Sequence, residues 1–166
     1  GSHQVAVLTG AQVAALGTAQ VVALEAADVP YLSSTAMAAL TTAQISKLTT
    51  AQIEALTTLQ VSKLTAVQLA SLTTAQIKAM EEVDLAALST AVIASLTTAQ
   101  VAALTSDQIQ ALTTAQVLRL ENADLAAMTT EQIAALTSAQ LGVLTAAQIV
   151  ALTTAQIPAI DEDELA

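Results

Sequence analysis

A strict eight-residue period, kept in phase from end to end, constrains this chain more than any other feature. A large aliphatic residue falls on Leu8, Leu16, Leu24, Leu32, Leu40 and every eighth position through Leu152, with Met80, Met128 and Ile160 as variants. The stretch Leu96-Thr97-Thr98-Ala99-Gln100-Val101-Ala102-Ala103 represents the unit. Counting the aliphatic residue as position 1, position 2 is usually Thr, position 5 usually Gln and position 6 Ile, Val or Leu. Positions 4 and 8 are mostly Ala. No insertion breaks the phase, so each unit stacks on its neighbours in one geometry, as in a solenoid and unlike a linker.

The octet reads as a helix start. With Thr97 as N-cap, Gln100 stands at the third helical position, and the pair forms a Thr-x-x-Gln capping box that satisfies two orphan backbone N–H groups reciprocally. Thr49 with Gln52 and Thr113 with Gln116 repeat the arrangement. Leu96 and Val101 flank the box as a hydrophobic staple. A helix that starts every eight residues must also end within eight, which predicts about one and a half turns followed by a sharp bend. Position 7 accepts Pro30, Pro158 and Gly142 as well as Glu54, Lys78 and Gln110, so it is expected to be exposed and near the break. The residue before a proline is pushed away from helical angles, which predicts early helix ends at Val29 and Ile157.

Two other architectures fit less well. In one continuous helix the leucines would advance by about 80° per octet and wind around the whole cylinder. In a β-solenoid, positions 1 and 6 would point to opposite faces, and the Ala, Gln and Leu content is weakly strand-forming. The expected fold is therefore all-α: a superhelical rod of about twenty very short helices, one per octet. At three or four octets per turn and a helix spacing of about 8–10 Å, such a rod is about 40–70 Å long.

Composition agrees with a thin aliphatic core: 54% of residues are hydrophobic, yet Tyr31 is the single aromatic. Thr and Gln recur too often for an apolar run of the roughly 20 residues that a spanning helix requires, so no membrane insertion is expected. A formal charge of −10 excludes nucleic acid as an ordinary partner. Gly1-Ser2-His3 resembles an expression-tag remnant, which leaves residues 4–166 as one octet array with both ends reading as cuts within a longer one. Without Cys, and without His beyond His3, the chain offers no nucleophile–base pair. It also lacks a Gly-rich phosphate loop. No catalytic residue, cofactor site or enzymatic role is expected.

The octet departs from itself at Glu25/Asp28, Glu81/Asp84 and Glu121/Asp124, where acids occupy positions 2 and 5, and Asp161-Glu162-Asp163-Glu164 continues the series. The simpler reading is an acidic first helical turn, favourable against the helix dipole. The alternative is a weak divalent-cation site built from these six carboxylates. Ala36 and Val92 replace the capping glutamine in the octets after two of the acidic ones, whereas Gln132 is retained after the third. The paired threonines could form an ice-binding hydroxyl array, but one hydroxyl of each pair is committed to capping. Lys47, Lys63 and Arg119 share position 8 and read as solvated side chains.

The short Leu-Thr-x-x-Gln core resembles the motif of a periplasmic chaperone family and the first helix start of calmodulin. Those families are unrelated to one another, so the match reflects shared helix-start chemistry and transfers neither chaperone activity nor calcium binding. Over its whole length, the Leu-Thr-Thr-Ala-Gln-Ile/Val-Ala-Ala array resembles repetitive regions of large bacterial secreted or surface proteins, including adhesin-like ones. That resemblance implies a spacer, stalk or scaffold, extracellular or at the cell surface. A protein- or peptide-binding solenoid is the alternative, and an unidentified protein partner or self-association is compatible with either reading.

Overall fold

The computed structural model describes residues 1–160. Among them are eighteen α-helices of four to six residues and two 3-10 turns, with no strand. The acidic run beginning at Asp161 lies outside the described residues.

Each octet forms one helix because its cap closes at the start and its backbone runs out of helical angles at the end. In the Leu96 octet, the helix Thr98–Ala103 begins on Thr97, whose φ/ψ of −75°/154° is extended. It stops at Leu104, at −59°/143°, and Thr105 follows at −75°/162°. Two successive extended residues, positions 1 and 2, thus make the bend. No described residue has a positive φ, so the corner needs no glycine. The Leu104 N–H closes the helix with a 3-10 bond to the Val101 carbonyl at 3.1 Å.

Proline modifies this plan differently from the expected early stop. Pro30 lies inside a 3-10 helix, Ala26–Tyr31, and Val29 is a buried residue within it. Ile157 opens the second 3-10 turn, Ile157–Ala159. A 3-10 segment needs only i→i+3 bonds, and the fixed φ of proline suits it, so the octet tightens instead of terminating.

Positions 1 and 6 build a single core that runs the length of the molecule. Ile45, Val61, Leu69, Ile77, Leu85 and Ile93 at position 6 are fully buried, and Leu40, Leu56, Leu72 and Leu88 at position 1 are nearly so. Leu8, Leu16 and Leu24 are only partly buried, because no earlier turn covers them. Position 7 is exposed at Pro30, Glu54, Lys78, Gln110, Gly142 and Pro158, as are Lys47, Lys63 and Arg119 at position 8.

Neighbouring superhelical turns meet where helices three octets apart pack together. Thr98–Ala103 lies between Thr74–Lys78 in the preceding turn and Asn122–Ala127 in the next. Side-chain bonds from position 5 reach 28 and 31 residues back, so one superhelical turn holds between three and four octets. Stability in such an array accumulates with neighbours. Leu112→Ala, in the middle of the core, is expected to cost about 2–5 kcal/mol in chemical denaturation, and Leu16→Ala in the first turn less than half of that.

Candidate functional site

The polar centre of every regular octet is its glutamine. Gln100 is 2% exposed. Its Oε1 accepts from the Thr97 N–H at 2.8 Å, while its own N–H donates to Thr97 Oγ1 at 3.2 Å, closing the capping box. Its Nε2 then donates into the preceding turn, to the Leu69 carbonyl at 2.9 Å and the Leu72 carbonyl at 2.7 Å. Both oxygens lie at the C-terminal end of a helix: the Leu69 carbonyl also accepts the closing bond from the Leu72 N–H at 3.1 Å, while the Leu72 carbonyl lies past the last intrahelical bond. One amide therefore joins the N-terminus of its own helix to the C-terminus of another. Twelve glutamines, from Gln44 to Gln156, are buried in this way. Gln52 and Gln116 make the same bridges, to Val21 and Leu24 and to Leu85 and Leu88.

This bridging use of glutamine is the functional role that reading for caps alone does not give. The signal was in the residue choice. A capping box accepts Glu as readily as Gln, but a carboxylate has no N–H to donate, and no octet from Gln4 to Gln156 carries Glu at position 5.

The acidic octets do not converge on one site. Glu25 is exposed, and Asp28 is partly buried beside the Gly1 amine at 3.7 Å. Asp84 and Asp124 are buried at the joint between turns, with Glu81 and Glu121 exposed at the preceding N-cap positions. Among the described residues, no three His, Cys, Asp or Glu side chains are grouped to hold a metal ion. At Asp124 both oxygens are used: Oδ1 accepts from the Thr98 hydroxyl at 3.0 Å, and Oδ2 from the Glu121 N–H at 2.9 Å. At Asp84, Oδ1 is buried with no hydrogen-bond partner. Burial pushes the Asp84 carboxyl above the usual carboxylate range; the Glu81 charge adds to this and the Thr58 hydroxyl opposes it.

Val92 loses both the cap acceptor and the bridge. There the Ser95 hydroxyl, 2.9 Å from the Ala66 carbonyl, provides another contact to the preceding turn. The surface carries a cleft of about 350 Å³ lined by Lys78, Ala102, Thr105, Ser106, Thr129 and Glu131, which are side chains of three successive superhelical turns. Position 4, Ala in most octets, carries exposed Leu59, Val67 and Val83.

Short capped helices, stacked turn on turn and stitched by buried amides, define a helical repeat solenoid. The chain belongs to the ALTTAQ repeat family, which matches it at residues 21–58, 77–114 and 117–154. No curated protein and no solved structure matches the chain. Among the described residues, no helix is long and apolar enough to cross a membrane.

Cap and bridge are separable by mutation. Thr97→Ala removes one cap and is expected to destabilise by about 0.5–2 kcal/mol. Gln100→Ala also strands the Leu72 carbonyl and is expected to cost roughly 2–4 kcal/mol. Gln100→Glu, which keeps the acceptor and loses the donor, should fall near Gln100→Ala in urea titration; a value near wild type would show that the bridge contributes little.

Proposed function

We propose that this chain is a non-enzymatic spacer, stalk or scaffold segment of a larger bacterial secreted or surface protein. The observation that carries the reading is the repeated glutamine bridge, which fixes each turn to the one before it and uses the principal buried polar groups for architecture. The threonines at position 2, though mostly exposed, are engaged as caps, so the recurring polar groups of the unit serve the architecture. Membership of a repeat family supports a structural module, and the resemblance to repetitive regions of secreted proteins supplies the proposed location.

A protein-binding role is the second reading, favoured by Leu59, Val67 and Val83. Leu59 and Val83 sit on helices that pack together in adjacent turns, Thr58–Val61 and Glu82–Ala87. Large apolar side chains at an exposed position that elsewhere carries Ala can form a contact patch.

A spacer has a length that follows from its number of units. Deleting four central octets removes about one turn, so small-angle scattering is expected to show a rod shorter by about 8–10 Å with unchanged helical content per residue. Affinity capture of a single partner, lost on combined Leu59→Ala, Val67→Ala and Val83→Ala substitution, would replace the spacer reading with the binding one.

A further inference from the structure

Asp84 occupies the position in the octet from which the regular units donate a hydrogen bond to the preceding turn. In the regular octets, the side chain here donates to carbonyls 28 and 31 residues earlier, as Gln76 does to Leu48 at 2.7 Å and Ile45 at 2.9 Å. The same register places the Leu56 and Ile53 carbonyls in the turn preceding Asp84. The Ile53 carbonyl already accepts the closing bond from the Leu56 N–H at 3.1 Å. An ionised Asp84 brings only acceptors to this joint, and its Oδ1 is buried there without a partner.

The two buried aspartates differ in how the chain receives them. Asp124 has a donor on each oxygen, the Thr98 hydroxyl and the Glu121 N–H. The equivalent neighbours exist at Asp84, namely Thr58 and Glu81, and the Thr58 hydroxyl opposes the effect of its burial; but the helix Glu82–Ala87 lacks the capping box present at Asn122–Ala127, and Oδ1 is left without a partner. Nor does the charge around the joint favour a carboxylate. Glu81 and Glu82 flank it on its own segment, Asp107 lies on the next-turn helix Ser106–Ala111, and the preceding-turn helix Thr58–Val61 carries no charge. Glu54 and Lys63, which flank that preceding helix in sequence, and Lys78 in the octet before Asp84 are exposed.

We propose that Asp84 is a pH-responsive clasp between superhelical turns, closed when its carboxyl is protonated and loosened when it ionises. The added proton turns one oxygen into a donor, so the neutral carboxyl can serve the acceptor-rich joint as the amide does elsewhere. Loss of that proton leaves a buried charge with Oδ1 unsatisfied, which is costly in a desolvated place. The folded chain therefore binds the proton more tightly than the unfolded chain. The stabilisation is fully present below the ordinary aspartate value and is lost as pH rises through the raised folded-state value.

The test compares the full chain with Asp84→Asn and Asp124→Asn from pH 4 to pH 8, by thermal unfolding and by hydrogen exchange of the Leu56 and Leu85–Leu88 amides. Differences from wild type remove the background from the other acids. The expected result is that Asp84→Asn raises the midpoint at pH 8 by about 2–6 °C, has a much smaller effect at pH 4, and slows exchange at this joint alone. Asp124→Asn should leave the pH dependence in place. A difference between wild type and Asp84→Asn that is constant across this range would overturn the proposal. So would titration of the Asp84 carboxyl carbon, followed by NMR in the wild-type chain, at the ordinary aspartate midpoint.

Discussion

Everything in this molecule depends on what a primary amide can do when it is buried between two helix ends. A helix of one or two turns leaves most of its backbone groups without internal partners, since four N–H groups and four carbonyls are orphaned at its termini. A chain composed almost entirely of such helices would carry an intolerable number of unsatisfied groups. The glutamine at position 5 supplies both kinds of partner at once: an oxygen for the N-terminal side of its own helix and an N–H₂ for the C-terminal side of a helix in the preceding turn. Hydrophobic burial at positions 1 and 6 holds the turns together without direction, whereas the amide fixes their register.

Helix, cap and period were legible because they depend on residues within one octet of each other. Thr97, Gln100, Leu96 and Val101 lie inside six residues, and their chemistry is local. The contact between Gln100 and Leu72 spans about one superhelical turn, and nothing local marks its far end, since the acceptor is a backbone carbonyl that every residue possesses. The preference for Gln over Glu was the visible trace of it. Pro30 misled for a related reason: its effect on helical geometry was read against an α-helix, while the octet had a tighter helical form available. The contrast between Asp84 and Asp124 was also hidden, since both follow a Glu at position 2 and both have a Thr 26 residues earlier. Only the placement of those partners separates a satisfied carboxylate from an orphaned one.

The departures from the octet acquire meaning against this lattice. Ala36, Asp84, Val92 and Asp124 each remove an amide from a joint between turns, and the chain responds differently where the local geometry permits. A hydroxyl from the preceding turn meets Asp124, a serine three residues along reaches across near Val92, and nothing meets the buried oxygen of Asp84. The array is thus uniform in shape but uneven in cohesion from joint to joint.

The corner between octets, made from two extended residues with no need of glycine or left-handed backbone, has a consequence for how such a chain can change over generations. No position is reserved for a special hinge, so a duplicated or deleted octet meets its neighbours with the same corner and the same acceptors. A single inserted residue would instead carry every later glutamine past its carbonyls. Length in this architecture is therefore quantised: it changes by whole octets, each adding about 2–3 Å to the rod, and the smallest heritable adjustment of reach is one repeat.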